Sequence, residues 1–190
     1  MDRPVLLLDV MDTIVLDPFS QVTPAFFGMR MDELLAAKSP EVWPAFERGE
    51  IDEATLARTY FRDGRSFDLD GLKAAMREFY AFVPGMQALL AELVERGFEL
   101  HALSNYPVWW QMIEAELGLS RYLKWSFVSC DTGVRKPDSE AYLGAARALG
   151  RDPGACLFVD DRAKNCAAAE AVGMPALTFA GAESLRERLT

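Results

Sequence analysis

The chain has 190 residues, 51% of them hydrophobic and 26% charged, enough for one sizeable core with an inserted subdomain. Its net charge of -9 excludes a broad footprint for nucleic acid or an anionic membrane, since both need a basic surface. A small anionic substrate stays compatible, provided a few cations or a metal ion are focused locally.

The first predicted element is PVLLLDV (4–10), an apolar run that delivers Asp9 to a loop. The opening MDRPVLLLDVMD meets Asp9 and Asp12 too early for a signal-peptide apolar region, and no run approaches a membrane span. Cys130, Cys156 and Cys166 are odd in number and show no CxxC spacing, so they read as reduced thiols in a cytoplasmic protein.

Residues 16–83 contain no clear strand. TPAFFGMRMDELLAA, SPEVWPAFERG, IDEATLARTYFR and DLDGLKAAMREFYAFV read as helical segments, with Ser39-Pro40 and Asp52 as starts and GRSFDLDG as a turn. Phe19, Phe26, Phe27, Trp43, Phe46, Tyr60 and Phe61 recur at helical spacings and are expected to build a small core of their own. Arg30 and Arg48 read as a solvated face, the alternative being a reach towards an anionic substrate.

GMQALLAELVERG places Met86, Leu89, Leu90, Leu93 and Val94 on one helical stripe that stops at Gly97. FELHALS (98–104) is the second strand and ends at Ser104-Asn105; His101 inside it reads as structural, and Trp109-Trp110 as packing for the next helix. WSFVS (125–129) is the third strand. VRKPD then presents Lys136 at the entry to the helix PDSEAYLGAARALG. ACLFVD (155–160) is the fourth strand and ends at Asp160-Asp161. In RAKNCAAAEAVG, Arg162 and Asn165 read as helix-start residues, with Asn165 able to brace the acidic loop, and PALTF (175–179) is the last strand.

Continuous apolar strands suit a sheet covered on both faces, hence a parallel one. Alternation of strand and helix gives an α/β, doubly wound fold. The predicted core spans 1–15 and 84–190. The helical insertion, 16–83, leaves after the first strand and should lie over the carboxyl ends of the strands, where open α/β sheets bind ligands. It reads as a lid.

The chemistry-bearing residues all fall just past strand ends. A carboxylate at Asp9, a hydroxyl at Ser104, an ammonium at Lys136 and the Asp160-Asp161 pair suit phosphoryl transfer. The acids would hold Mg²⁺, while Ser104 and Lys136 would hold phosphate oxygens and neutralise developing charge.

Four stretches, LLLDVMDTI, LSNYP, GVRKPDSEAY and LFVDDRAKN, together resemble the haloacid dehalogenase (HAD) superfamily of hydrolases, in the branch with a small helical cap after the first strand. The resemblance covers essentially the whole chain. It implies a Rossmann-like sheet of order 5-4-1-2-3 and an aspartyl intermediate on Asp9. It further implies phosphate binding by Ser104, Asn105 and Lys136 with the Met11-Asp12 loop, and Mg²⁺ held by Asp9, the carbonyl oxygen of Met11, and Asp161 supported by Asp160. A small phosphorylated metabolite is the implied substrate, handled by a monomer or homodimer.

One position departs from the family pattern. Its phosphatases carry DxDGT; here the run is Asp9-Val10-Met11-Asp12-Thr13, so Met11 stands at the general acid/base position and Asp12 at that of the glycine. A thioether cannot carry a proton, and losing a positioned acid/base costs about 10²–10⁴ in rate. Asp12 is a substitute only if its side chain turns back into the site. Three readings follow: a slow Mg²⁺-dependent phosphohydrolase, a phospho-ligand or partner-binding protein with little turnover, and a 2-haloacid dehalogenase. The SN pair and the Lys136/Tyr142 spacing are compatible with the last, whereas the acidic pair Asp160-Asp161 favours a metal and phosphate.

Overall fold

Four consecutive apolar residues, VLLL, form strand β1 (Val5–Leu8), and all four are buried. Successive side chains of a strand point to opposite faces. Leu6 and Leu8 therefore join one core cluster, and Val5 and Leu7 join another. Burial on both faces is why the run does not alternate with polar residues, and each such side chain contributes about 1.5–3 kcal/mol. The structure is a computed structural model and describes residues 3–189.

After β1 come five helices in a row: α1 (Val22–Phe27), α2 (Met31–Ala37), α3 (Val42–Glu47), α4 (Glu53–Thr59) and α5 (Leu69–Phe79). The remaining elements alternate, except that two helices lie between the third and fourth strands. They are α6 (Met86–Glu95), β2 (Leu100–Ser104), α7 (Trp110–Leu117), β3 (Lys124–Val128), the short α8 (Ser129–Thr132), α9 (Ser139–Ala148), β4 (Cys156–Asp160), α10 (Ala163–Ala171), β5 (Ala176–Thr178) and α11 (Ala182–Leu189). The sheet runs β3-β2-β1-β4-β5 with every pairing parallel. This is the expected α/β order, read from its other edge.

Several boundaries differ from the sequence reading, each for a local reason. The first strand stops at Leu8 because the carbonyl of Val10 accepts the N–H groups of both Ile14 and Val15, at 2.8 Å each, and turns the chain. The predicted helix over 23–37 is two helices, broken at Gly28, whose φ of 62° lies in the left-handed region that only glycine enters freely. Helix α3 begins at Val42 and not at Ser39-Pro40. Before it, the Ser39 N–H is drawn to the Tyr60 carbonyl (2.7 Å), and Lys38 forms an antiparallel bridge with Phe61. Asp52 caps α4 as expected, accepting the Thr55 N–H at 2.7 Å.

The chain leaves and re-enters the core through one narrow stem. Leu16 N–H donates to the Ala81 carbonyl and Val83 N–H to that of Ile14, with Val15 and Phe82 paired between them. Between those points, Phe27 gathers Phe26, Tyr60, Phe61 and Phe67, with ring centroids 4.9–5.8 Å apart. Trp43 and Phe46 do not join that cluster. They pack edge-on against Trp109, which also donates its indole N–H to Glu53, so these aromatics bind the insertion to the sheet domain.

The two parts also touch through backbone. A Cβ on Gly49 would lie 2.6 Å from the Cys130 carbonyl oxygen, and its φ is 70°. Gly49→Ala is expected to destabilise the protein by about 2 kcal/mol through left-handed strain and that clash, a fall of several degrees in Tm for a chain of this size. An unchanged melting curve would show that the insertion is free to shift away from Cys130. His101 is structural as expected: its ring nitrogens meet Ser126 and Glu99, and it stacks on Phe127. All three cysteines are free thiols.

Candidate active site

The order β2-β1-β4 puts three neighbouring strands side by side, so residues just past their carboxyl ends converge. Asp9 follows β1, and its N–H still extends the ladder to the Val159 carbonyl (2.8 Å). Asp160 ends β4, and Asp161 follows it. One ligand oxygen from each of Asp9, Asp160 and Asp161 lies within 4.8 Å of the others. Lys136 reaches into this group: its ammonium donates to Asp9 Oδ1 and to Asp160 Oδ2, each at 2.7 Å, in a buried ion-paired triad.

Each member is held from behind. Asp160 is fully buried and accepts from the Arg162 N–H (2.8 Å) and from the Asn165 side-chain amide on both oxygens (3.0 and 2.9 Å). Asn165 is in turn fixed by the Tyr142 hydroxyl on its carbonyl. Asp160 is thus occupied by protein donors, which leaves Asp161, half-buried and beside it, as the more available oxygen donor. Burial and the neighbouring Asp160 raise the Asp161 pKa. Burial likewise pushes Asp9 up to about 6, with the Lys136 ammonium opposing it and Asp160 adding to it. Carboxylates crowded in this way favour a bound cation, and a hard divalent ion with oxygen ligands fits the donor set.

The phosphate side of the site is less direct than expected. Ser104 is buried at the end of β2, and its hydroxyl has no hydrogen-bond partner among the described residues. An orphaned buried hydroxyl at the carboxyl end of a strand is a place where an anionic oxygen fits. Asn105 uses its side chain elsewhere. Its amide donates to the Lys136 carbonyl and accepts the Lys136 N–H, both at 2.8 Å, so it positions the lysine.

The turn after Asp9 explains the unusual motif. Asp12 has φ 55°, the one non-glycine residue with positive φ among those described, so it occupies a glycine-like conformation as its alignment implies. Its exposed carboxylate accepts the Asp17 N–H at 2.9 Å. That ties the Asp12 side chain to the loop, within electrostatic reach of Asp161. Met11 lines the cleft and is otherwise packed into the core.

That cleft holds about 200 Å³ and is lined by Asp9, Met11, Asn105 and Lys136 together with groups the sequence reading did not choose. From the insertion side come Asp17, Phe19, Lys38, Trp43 and Glu47; from the sheet side come Tyr106, Arg135 and Arg162. Lys38 lies over the Phe19 ring at 4.9 Å, and burial lowers its pKa. Glu47 is buried, accepts the Trp43 indole N–H (2.9 Å) and pairs with Arg135 at 2.6 Å. Arg30 and Arg48 stay on the surface, paired with Asp32 and Glu50. Trp109 and Trp110 serve packing and do not line the cleft.

A parallel sheet with a carboxylate cluster at its carboxyl edge and a helical insertion after β1 defines a class of hydrolase, and the sequence places the chain in it. The model of the haloacid dehalogenase-like hydrolases matches residues 25–173, and the chain belongs to that family. It is 54% identical over 187 residues to the chloroplast flavin mononucleotide hydrolase 1 of Arabidopsis thaliana, covering 98% of this chain and 76% of the relative. The sesquiterpene phosphatase astK of Aspergillus oryzae is 30% identical over 149 residues, covering 72% of this chain and 71% of the other. Among solved structures, the HAD family enzyme BT-2542 of Bacteroides thetaiotaomicron superposes over 100% of both chains with a TM-score of 0.78 at 20% identity. Another crystal structure of that enzyme, in complex with magnesium and inorganic phosphate, covers 95% of this chain and 96% of its own, with a TM-score of 0.72 at 21% identity. The chain is therefore a phosphatase-like hydrolase of the HAD superfamily.

Proposed function

We propose that the protein is a Mg²⁺-dependent phosphohydrolase acting on a small phosphorylated metabolite, with flavin mononucleotide as its first candidate substrate. The convergence of Asp9, Asp160, Asp161 and Lys136 carries this reading. Two carboxylates only half neutralised by one lysine, plus a third beside them, suit a site where a cation and a phosphate meet. Asp9, Asp161 and the Met11 carbonyl would hold the ion, with Asp160 holding Lys136. Bound there, Mg²⁺ supplies charge neutralisation for the phosphoryl oxygens.

Asp9 attacks phosphorus in line, the phosphorus–ester oxygen bond breaks, and an aspartyl phosphate remains. Lys136 and the Ser104 hydroxyl stabilise charge on the phosphoryl oxygens. Water then attacks phosphorus and frees Asp9 with release of phosphate. With Met11 at the usual acid/base position, this cycle is slow for alkyl esters unless another group carries the proton.

The flavin candidate rests on the identity to the Arabidopsis relative and on the chemistry of the cleft. Phe19, Trp43 and Tyr106 offer a planar ring an aromatic wall, and Lys38, Arg135 and Arg162 supply positive charge. At about 200 Å³ the cleft is smaller than the roughly 300–1,000 Å³ usual for small-molecule sites. Residues 16–83 would then act as a cap that opens to admit the ligand. We place the protein in the cytoplasm as a monomer or homodimer, acting on neither nucleic acid nor membrane. No helix among the described residues is long and apolar enough to cross a bilayer.

Phosphate and riboflavin release from flavin mononucleotide, with Mg²⁺ and then with a chelator, tests this reading. Stoichiometric products that vanish on chelation are expected. A folded protein that releases phosphate from neither flavin mononucleotide nor nitrophenyl phosphate would overturn it in favour of a binding role.

A further inference from the structure

An alkyl phosphate such as flavin mononucleotide expels an alkoxide, which needs a proton, and Met11 has none to give. We infer that Asp17, a residue outside the four signature stretches, is the catalytic acid/base of this site. The inference rests on the phosphohydrolase reading above.

Asp17 is positioned by the same turn that presents Met11. Its N–H is held by the Asp12 carboxylate (2.9 Å), which ties the residue to the loop, and its Oδ1 accepts the Phe19 N–H (2.9 Å), which orients the carboxyl. It lines the cleft with Asp9, Met11 and Lys136. The other added carboxylate of the cleft is unsuited to the task. Glu47 has the Arg135 guanidinium at 2.6 Å on one oxygen and the Trp43 indole N–H on the other, so both of its oxygens are engaged, although burial raises its pKa as well. Asp17 has no cation at such range. The charged and titratable groups facing it are Asp12 and Arg162, with the Tyr80–Tyr106 hydroxyl pair (2.8 Å between oxygens) behind. Burial raises its pKa, with the Phe19 N–H, Arg162 and Asp12 as smaller influences. A carboxyl in such surroundings keeps its proton to higher pH than a surface aspartate, as an acid catalyst requires.

The balance closes within the site. Asp9 attacks phosphorus; the phosphorus–ester oxygen bond breaks; the departing oxygen takes the Asp17 proton and leaves as an alcohol. Asp17, now a carboxylate, accepts a proton from the water that attacks the aspartyl phosphate. The phosphorus–Asp9 bond breaks, phosphate departs, and Asp17 is protonated again.

The test compares esters by leaving group. Nitrophenolate leaves without a proton, and kcat/KM reports the steps up to departure of the leaving group. In the wild type, kcat/KM should vary little with leaving-group basicity across a series of phosphate esters. A steep dependence would overturn the inference with no mutation needed. In Asp17→Asn, which keeps an acceptor for the Phe19 N–H, the ratio of kcat/KM for flavin mononucleotide to that for nitrophenyl phosphate should fall about 10²-fold. Adding Met11→Asp to that variant should restore at least about tenfold of the lost ratio, by returning a carboxyl to the position that the family pattern uses. If both esters slow in proportion, Asp17 is only structural and the inference fails while the phosphohydrolase reading stands. If the wild type hydrolyses neither ester, that reading fails first.

Discussion

Lys136→Met is expected to lower phosphatase turnover by about 10²–10³ and, in metal-free buffer, to lower Tm by roughly 10 °C. Both effects have one origin. The ammonium is 2% exposed and bridges Asp9 and Asp160, whose side chains are 11% and 0% exposed. Methionine fills much of the same volume but leaves two carboxylates facing each other with no cation between them. Breaking a buried pair from one side costs about 3–5 kcal/mol, because the remaining charge has no water to return to. Magnesium should return much of the lost stability, and by a larger increment than in the wild type, since the lysine no longer competes for the same oxygens. Activity should not return with it, because the ion cannot replace a donor placed for the phosphoryl oxygens. Thermal melts with and without Mg²⁺, alongside turnover, separate the two consequences. A metal-free variant as stable as the wild type would show that the triad carries no net burial cost.

Much of this arrangement is legible in the sequence, and the reason is periodicity and punctuation. The strands that carry Asp9, Ser104 and Asp160 are apolar runs, interrupted only by His101 in β2, because both faces of the sheet are buried, and each run stops at a polar residue that becomes a site residue. The parallel order then follows from alternation with helices. What stayed hidden depends on side-chain direction inside the insertion. Phe19 and Trp43 read like any other helical aromatic, yet one stands under Lys38 at the cleft and the other on Glu47 and Trp109. Asp17 lies in a short irregular turn with no repeat to orient it. Its role is signalled only by a hydrogen bond from its N–H to Asp12, and Asp12 itself draws notice only once its positive φ is seen. Arg30 and Arg48, read as a solvated face, each have an acidic partner two residues on, which keeps them at the surface as expected. Arg135 draws no notice beside Lys136, while Arg162, a helix-start residue as expected, also reaches the cleft.

Asp9→Asn should abolish turnover, by at least about 10⁴-fold, since an amide cannot form the covalent intermediate. Yet the metal-free protein should become more stable at neutral pH, the opposite of Lys136→Met. The sign follows from the titration of Asp9. Its folded pKa of about 6 exceeds the ordinary 3.8 chiefly through burial, against which Lys136 acts only in part. A carboxyl whose folded pKa is raised holds its proton more tightly when folded, so its ionisation opposes folding. That penalty is absent below about pH 4, grows between about 4 and 6, and is fully present above, where it amounts to something on the order of 3 kcal/mol. The amide never ionises and avoids it, while Asp160 still pairs with Lys136. Melting curves in chelator should therefore place the variant several degrees above the wild type at pH 7 and level with it near pH 4. Saturating Mg²⁺ should reverse the order at pH 7, because the wild type gains a charged ligand that the variant lacks. A variant that melts below the wild type at pH 7 in chelator would mean that the Asp9–Lys136 contact outweighs the burial of the carboxylate. The first aspartate would then be a stabilising partner in the apo fold, and not a charge held there at a cost for the sake of the cation and phosphate it receives.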